Sequence, residues 1–275
     1  MPRRLRLDAE LVRRGLARSR DQAGELIAAG RVTVAGAVAT KPATAVTTDV
    51  AIVVRDDPDR PDYVSRGGHK LAGALAAFVP QGLVVAARRC LDAGASTGGF
   101  TDVLLRADAR EVLAVDVGYG QLAWSLRQDP RVVVHDRTNI RDLTLELLGG
   151  PVDLVVADLS FISLRLVLAP LAAVTAPDAD LVLMVKPQFE VGKDRVGKGG
   201  VVRDPALRAE AVADVVAVAR EQGWGARAVA TSPLPGPSGN VEFFVWLRRG
   251  PGSVSDEDIA RVTEDVSVPG ERVAP

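Results

Sequence analysis

Four charged residues interrupt or end segments that are otherwise apolar. Lys70 follows the glycine pair of SRGGHK, Asp158 closes the run LVVAD, Lys186 closes LMVK, and Glu242 opens EFFVWL. A charge in such surroundings is unfavourable unless an opposite charge lies close to it. Two ammonium groups and two carboxylates that meet at one edge of a fold would therefore pair, and such a cluster can exchange a proton with a bound reactant.

A second chemical signal is the glycine-rich turn in LDAGASTGGF. A dinucleotide site needs a glycine where Ser96 stands, so that a pyrophosphate can approach the backbone. The G-x-S-x-G turn of hydrolases fits formally, but His135, the histidine available as its base, comes too early in the chain. An S-adenosylmethionine site needs a tight turn and a nearby acid without phosphate binding, and Asp92 and Gly94 suit it. Asp116, at the end of the next strand, is placed for ribose hydroxyls, although the turn alone is weak evidence.

The elements that must position these residues alternate between strand and helix patterns. Candidate strands are Arg89–Ala93, Glu111–Asp116, Val132–His135, Val152–Asp158, Leu181–Val185, Ala226–Thr231 and Val241–Leu247. Helical patterns fall at 99–106, 121–128, 142–148, 163–174 and 205–222. Nearly continuous Val, Leu and Ala runs indicate strands that helices cover on both faces. We therefore predict an α/β, Rossmann-like sheet of seven mostly parallel strands, an antiparallel last strand, and ligands beyond the carboxyl ends.

Composition narrows the class of protein. The 275 residues are 47% hydrophobic and 25% charged, which is typical of one or two globular domains. One cysteine, Cys90, cannot form an internal disulfide, and two histidines do not supply a usual zinc site, so we expect no metal. The uncharged stretch Leu71–Ala87 contains Pro80 and Gly82, which indicates an amphipathic helix and a turn rather than a membrane span. No apolar stretch follows the first residues, and we expect a cytoplasmic protein.

The N-terminal segment differs in charge from the rest. Through residue 46 it carries nine basic and four acidic residues, a net +5, which leaves −6 for the remainder. Asp8 is predicted to cap a first helix, and Ser19 with Gln22 forms a capping box for a second helix that ends at Gly30. A strand then turns at Gly36 and returns as a hairpin. A small basic α+β module in front of an acidic body indicates a polyanion-binding domain.

This module resembles a known RNA-binding domain. The run LRLDAELVRRGLARSRDQAGELIAAGRVTVAG is similar to the alpha-L domain of a small-subunit ribosomal protein and of pseudouridine synthases. The resemblance implies that structured RNA is bound by the two-helix face and the following strand. Arg6, Arg20 and Lys41 are the leading phosphate contacts, and Arg4 and Arg18 are further candidates.

The body resembles a family of ribose methyltransferases. Lys-Asp-Lys-Glu is the constellation of 2′-O-methyltransferases of the FtsJ/RrmJ type. The whole chain resembles the TlyA family of rRNA (cytidine-2′-O)-methyltransferases, which also carry the name hemolysin A. The matching motifs are SRGGHKL, DAGASTGGFTD, DVGYGQLAW, RTNIRDL, DLVVADLSFISL, LVLMVKPQFEVGK and SPLPGPSGNVEFF. The resemblance divides the chain into an RNA-binding domain (1–55), a linker (56–63), a class I methyltransferase domain (64–250) and a C-terminal tail (251–275).

The same resemblance implies roles for individual residues. Lys186 would meet the 2′-oxygen, as general base or as a cation that stabilises the alkoxide, and Asp158 would orient it. Lys70 would position the hydroxyl, and Glu242 would hold Lys70. The cofactor S-adenosylmethionine would be bound by Asp92, Gly94, Ser96, Gly98, Phe100, Asp116, Asn139 and Asp158. Further RNA contacts would come from Arg66, Arg131, Arg137 and Arg141.

The expected substrate is cytidine in 16S and 23S rRNA within ribosomal subunits, and DNA is excluded because it lacks the 2′-hydroxyl. In this family the activity is linked to sensitivity to antibiotics such as capreomycin. Two alternatives remain at this point: a membrane-lytic hemolysin, and an RNA-binding protein without catalysis. The oligomeric state, monomer or dimer, stays open.

Overall fold

A computed structural model of the chain describes residues 4–17, 19–55, 61–236 and 238–264. The chain separates into two compact units, residues 1–62 and residues 63–275, which we call unit 1 and unit 2. The RNA-binding candidate Arg18 and residues 56–60 of the predicted linker lie outside the described residues.

Unit 1 combines two helices with short strands. Its elements are β1 (Arg4–Arg6), α1 (Leu7–Arg13), α2 (Arg20–Ala28), β2 (Val32–Val34), β3 (Ala37–Val38), β4 (Ala45–Thr47) and β5 (Ile52–Val54). Strand β2 pairs antiparallel with β3 and β5, and β1 pairs with β4. The hairpin predicted at Gly36 is therefore present. Leu7, Leu11, Leu26 and Ile27 pack the two helices over a common apolar core.

The two predicted helix starts in unit 1 have different outcomes. Ser19 caps α2, because its side chain accepts a hydrogen bond from the Gln22 backbone N–H at 3.2 Å. The prediction for Asp8 was wrong, since α1 already begins at Leu7 and Asp8 lies inside its first turn. Its carboxylate instead forms ion pairs with Arg6 and Arg20, and the Nη2 atom of each arginine lies 2.9 Å from Asp8 Oδ2.

Unit 2 is built on one mixed sheet. Its strands are β6 (Arg89–Ala93), β7 (Glu111–Val115), β8 (Val132–His135), β9 (Val152–Ala157), β10 (Thr175–Val185), β11 (Trp224–Thr231) and β12 (Phe243–Arg249). Its α-helices are α3 (Arg66–Phe78), α4 (Gly99–Arg106), α5 (Trp124–Arg127), α6 (Leu145–Leu148), α7 (Leu168–Ala173), α8 (Pro187–Glu190), α9 (Pro205–Glu221) and α10 (Asp256–Glu264). The strand order is β11-β12-β10-β9-β6-β7-β8, with β12 antiparallel to both neighbours. The predicted seven-stranded, mostly parallel sheet is confirmed.

Several element bounds differ from the prediction for identifiable reasons. Strand β10 begins at Thr175 rather than Leu181, because the buried Asp180 is compensated by hydrogen bonds from Arg88, Trp246 and Arg248. The segment predicted only as a tail contains α10, which buries Ile259 in the core of unit 2. No described helix is long and apolar enough to cross a membrane.

Candidate active site

Each of four neighbouring strands is followed directly by a residue that the sequence analysis predicted to be functional. Gly94 follows β6, Asp116 follows β7, Asp158 follows β9 and Lys186 follows β10. These strands are parallel and adjacent in the order β10-β9-β6-β7. The four residues therefore lie along one edge of the sheet, which is where ligands bind in doubly wound folds.

Lys186 and Asp158 form an ion pair at this edge. The Nζ atom of Lys186 lies 2.6 Å from Asp158 Oδ1 and donates a hydrogen bond to Ser160 Oγ at 3.0 Å. The Lys186 side chain is almost entirely buried, whereas that of Asp158 is 23% exposed. An ammonium group has three N–H donors. Ser160 accepts a hydrogen bond from one of them, and the Asp158 carboxylate balances the charge of the group.

Lys70 and Glu242 form a second, more deeply buried pair. Lys70 lies in the second turn of α3, and Glu242 immediately precedes β12. Their Nζ and Oε2 atoms are 2.5 Å apart, with side-chain exposures of 8% and 1%. Glu242 Oε1 is buried and has no hydrogen-bond partner among the described residues. The glutamate therefore holds Lys70 through one oxygen.

One cavity of about 250 Å³ brings members of both ion pairs to the same space. It is lined by Ser65, Arg66, Gly67, Lys70, Gly94, Ala95, Ser96, Thr97, Gly99, Phe100, Asp158 and Pro235. Lys70 contributes from α3 and Asp158 from the end of β9. A small polar group in this cavity would meet an ammonium from one pair and a carboxylate from the other.

A second cavity of about 470 Å³ continues from the first, because Gly94, Ser96 and Asp158 line both. Its other lining residues are Asp116, Val117, Gln121, Asn139, Ile140, Leu159, Ser160, Phe161, Ile162 and Val167. The lining is apolar on one side and carries the Asp116 carboxylate on the other. This arrangement suits an elongated ligand with an apolar ring and a polar middle.

The glycine turn between the two cavities has a strained, closely packed backbone. Gly94 has φ of +87°, and a Cβ there would lie 2.6 Å from the backbone oxygen of Asp158. Ser96 has φ of +48°. Its backbone N–H donates to Asp116 Oδ2 at 2.8 Å, and the Gly118 N–H donates to Oδ1 at 2.7 Å. The turn is thus fixed against the ends of both flanking strands.

Comparisons with known proteins agree with this geometry. The FtsJ-like methyltransferase family matches residues 63–249, and the S4 domain family matches residues 5–52. The 16S/23S rRNA (cytidine-2′-O)-methyltransferase TlyA of Mycobacterium tuberculosis is 64% identical over 90% of this chain and 91% of that protein. Hemolysin A of Brachyspira hyodysenteriae is 38% identical, with coverages of 87% and 98%. The chain belongs to the TlyA family of FtsJ-like methyltransferases.

A solved structure supports the assignment across both units. A protein of Streptococcus thermophilus described as a hemolysin superposes with a TM-score of 0.72 at 36% identity, covering 96% of this chain and 95% of that one. The predicted TlyA resemblance, the methyltransferase class and the two-part fold are therefore confirmed. The hemolysin name occurs within the same family.

Not every cofactor candidate of this TlyA-family chain reaches a cavity. Asp92 lies inside β6 with no exposed surface, and its Oδ2 accepts a hydrogen bond from Thr101 Oγ1 at 2.7 Å. Burial raises the pKa of the Asp92 carboxyl to about 7. Gly98 immediately precedes α4 with φ of +97°, and a Cβ there would collide with Leu126. Phe100 lines the first cavity with one edge but is otherwise a core residue against Phe244.

The arginines of unit 2 that are predicted to bind RNA do not all lie at the same edge of the sheet. Arg66 is exposed and lines the first cavity. Arg137 is exposed and lies over the ring of Tyr119, with its Cζ atom 4.3 Å from the ring centroid. Arg131 precedes β8 at the opposite, amino edge of the sheet, and its guanidinium donates to Asp129 and to the Leu105 carbonyl. The structure does not bring Arg131 to the cavities.

In unit 1, Arg4, Arg6, Arg20 and Lys41 are exposed. Arg6 and Arg20 share the Asp8 carboxylate, which fixes two guanidinium groups side by side. The Arg6 hydrogen bond holds the pKa of Asp8 well below its usual range. The RNA-binding roles of these residues stay predictions.

Sequence reasoning missed several residues of the site. Ser160 contacts Lys186, Ser65 and Gln121 line the cavities, and Phe161 lines the second cavity with 92% of its surface exposed and φ of +64°. The signal that could have found Ser160 and Phe161 is their position directly after Asp158, at a strand end where ligand-binding loops begin.

Proposed function

We propose that this chain transfers the methyl group of S-adenosylmethionine to the ribose 2′-hydroxyl of cytidines in 16S and 23S rRNA. The observation that carries the proposal is that Lys70 and Asp158, each paired with an opposite charge, line one cavity beside the glycine turn. The TlyA protein of M. tuberculosis, at 64% identity, supplies the target named here.

The residues of the second cavity fit the proposed cofactor. The Asp116 carboxylate accepts one backbone hydrogen bond on each oxygen, which leaves a lone pair on each for vicinal ribose hydroxyls. Val117, Ile140 and Ile162 provide apolar walls for a ring, and Asn139 is exposed at the rim. Gly94, where a Cβ would collide with the Asp158 carbonyl, lines both cavities and so brings the backbone close to a bound ligand. When bound, S-adenosylmethionine supplies an electrophilic methyl group.

The ion pairs then act on the hydroxyl that receives the methyl group. A ribose 2′-hydroxyl is a poor nucleophile at neutral pH, so the protein must align it and stabilise the charge that develops on its oxygen. Lys186, held by Asp158 and Ser160, directs its amino group toward this oxygen. Lys70, held by Glu242, fixes the hydroxyl from the other side of the cavity. The oxygen–methyl bond forms as the sulfur–methyl bond breaks, so that S-adenosylhomocysteine leaves. The hydroxyl proton passes to Lys186 if this residue is the general base, or to solvent if Lys186 only stabilises the charge on the oxygen.

RNA binding by unit 1 would deliver the substrate. An S4 domain with exposed Arg4, Arg6, Arg20 and Lys41 suits the phosphates of folded RNA. A nucleotide must leave its stack before its ribose can enter a cavity of this size. We further propose that ribosomes lacking this methylation differ in sensitivity to capreomycin.

The deciding experiment compares ribose methylation of rRNA in cells with the wild-type gene, a deletion, and the Lys186→Ala variant. Mass mapping is expected to find 2′-O-methylcytidine in both rRNAs only with the wild-type gene. In single-turnover assays Lys186→Ala should be slower by about 10²–10⁴-fold, the range of acid–base and charge-stabilising groups. Calorimetry should show unchanged cofactor binding, and Arg220→Ala, an exposed cation at the end of α9, is the control.

Two outcomes would overturn the proposal. Identical methylation maps with and without the gene would leave only an RNA-binding protein without catalysis. Methylation on a base rather than on ribose would contradict the assignment of Lys186 and Lys70 to a 2′-hydroxyl.

A further inference from the structure

Glu190 is a buried carboxylate that lines neither cavity. It ends the single-turn helix α8, which begins directly after Lys186. Its Oε2 accepts a hydrogen bond from Ser163 Oγ at 2.5 Å, and its Oε1 accepts one from the Leu164 backbone N–H at 2.8 Å. Its own carbonyl accepts from Arg165 Nη2 at 2.8 Å. The carboxylate also forms an ion pair with Arg165, whose Nε lies 3.4 Å from Oε2. A buried carboxylate with three partners in another segment is built to fix that segment.

The segment that Glu190 holds is the loop after β9. That loop starts with Asp158 and Ser160, which contact Lys186, and continues to Ser163 and Leu164, which contact Glu190. Among the described residues, the hydrogen bonds and ion pairs between residues 158–166 and 186–191 involve either Lys186 or Glu190. The polar contacts therefore join the two loops at two points, and the rings of Phe161 and Phe189 also pack together with their centroids 5.4 Å apart.

We propose that Glu190 is a positioning residue, which sets the separation between Lys186 and Asp158 by clamping together the two loops that carry them. This inference rests on the proposed function, because it names the geometry that the methyl transfer would use. Catalysis of this kind depends on alignment, and a shift of about 1 Å can cost about 10²-fold in rate. The Lys186–Ser160 and Lys186–Asp158 contacts are made between side chains, whereas Glu190 also holds the Leu164 backbone N–H. The clamp at Glu190 restricts the backbone on which they are built.

The hydrogen bonds of Glu190 indicate which substitution at this position keeps the clamp and which removes it. Burial raises the pKa of Glu190, although its hydrogen bonds and the nearby Arg165 guanidinium act in the opposite direction. Glutamine keeps an acceptor for the Leu164 N–H and a polar group for Ser163 Oγ. Alanine keeps neither. Glu190→Gln should therefore preserve the clamp that Glu190→Ala removes.

The test is a single-turnover assay at saturating cofactor and RNA, with four variants. Glu190→Ala is expected to be slower by about 10–100-fold, while the KM for RNA changes less than about threefold. Glu190→Gln should recover the rate to within about fivefold of wild type. Ser163→Ala, which removes one of the clamp's hydrogen bonds, should be slower by about 3–10-fold. Glu210→Ala, which breaks the exposed pair with Arg195, is the control and should match wild type.

Thermal unfolding of each variant separates positioning from stability. If Glu190→Ala fails to fold, Ser163→Ala still decides, because it leaves the carboxylate and its Leu164 contact in place. A native rate in Ser163→Ala and Glu190→Ala, or a Glu190→Gln variant as slow as the alanine variant, would overturn the inference.

A second readout needs no reaction. Crystal structures of Glu190→Ala and Glu190→Gln should show a longer Lys186 Nζ to Asp158 Oδ1 distance in the alanine variant only. An unchanged distance would refute the clamp even if the chain methylated RNA. A changed distance in a chain without ribose methylation would instead refute the proposed function alone.

Discussion

Lys186 Nζ lies 2.6 Å from Asp158 Oδ1, and the two residues end adjacent parallel strands. In the register of these strands Leu183 pairs with Ala157, so Lys186 stands further along its strand than Asp158. Its side chain therefore has to reach back over the end of β9, where it also meets Ser160. This arrangement makes the loop after β9 a part of the proposed reaction centre, and not only its border.

The Lys70–Glu242 pair gives a prediction about stability. Glu242→Leu leaves a buried ammonium without its partner and should destabilise the fold by about 3–5 kcal/mol. Lys70→Met in the Glu242→Leu background removes that charge and should restore at least half of the loss. Urea unfolding measures both. The exposed pair Arg195–Glu210 is the control, and Glu210→Leu should leave the free energy of unfolding nearly unchanged.

The double variant should also separate folding from activity. It is expected to fold well and to transfer no methyl group, since the ammonium that faces the first cavity is gone. Full activity in a stable Lys70→Met/Glu242→Leu protein would show that this pair is structural.

The Asp92 carboxyl gives a prediction about pH. Its pKa is about 7 in the folded chain, where burial disfavours the charge, and about 3.9 in the unfolded chain. Between these values the folded state binds more protons, so this group removes stability as the pH rises from about 4 to about 7. Asp92→Asn has no such titration and can still accept the Thr101 hydrogen bond.

The measurement is the difference in the free energy of unfolding between Asp92→Asn and wild type. It should grow by a few kcal/mol in favour of the variant across this pH range and level off above it. Both proteins contain all the other carboxyl groups, so the titration of those groups cancels in the difference. A difference that does not change with pH would contradict a buried, protonating Asp92.

The sequence predicted the sheet well, because its strands are apolar runs, and three of them are followed directly by Asp116, Asp158 and Lys186. The proximity of Lys186 to Asp158 also follows once the parallel order is assumed. The Lys70–Glu242 pair joins a helix to the start of the antiparallel strand β12, and it was expected only from the family resemblance. Contacts that depend on three-dimensional detail could not be predicted. Asp92 belongs to the predicted cofactor motif, yet its side chain lies in the core and contacts Thr101. Asp180 interrupts the apolar run of β10. The strand forms nevertheless, because Arg88, Trp246 and Arg248 donate hydrogen bonds to the Asp180 carboxylate.

Gly94 gives a prediction about the turn. Gly94 and Gly120 both have positive φ, +87° and +66°, so alanine strains the backbone at either position. A Cβ at Gly94 would also meet the Asp158 carbonyl at 2.6 Å, whereas a Cβ at Gly120 meets nothing within 4 Å. Gly120→Ala should lose about 1–2 kcal/mol of stability and keep cofactor binding. Gly94→Ala should lose more and bind the cofactor at least about tenfold more weakly.

Calorimetric titration with S-adenosylhomocysteine, together with thermal unfolding, checks both glycine variants. If both variants lose stability and cofactor affinity equally, φ strain alone explains the effect of Gly94→Ala. The turn then does not contact the cofactor.

Arg20 gives a prediction about RNA binding by unit 1. Its guanidinium is exposed and shares Asp8 with Arg6, which positions both groups for phosphates. Each lost phosphate contact should reduce the slope of log Kobs against log salt by about 0.7–0.9. Arg20→Ala is therefore expected to flatten the slope by about that amount for an rRNA fragment. Arg131→Ala is the matched control, because its guanidinium is held by Asp129 at the far edge of the sheet.

Filter-binding or fluorescence titrations at several salt concentrations give both slopes. If Arg20 contacts a phosphate and Arg131 does not, only the first variant changes the slope. The reverse result would assign RNA binding to the amino edge of the sheet. An unchanged slope in both variants would mean that the pair formed by Arg6 and Arg20 with Asp8 serves only to fix α1 against α2, with the phosphate contacts placed on other exposed cations such as Lys41.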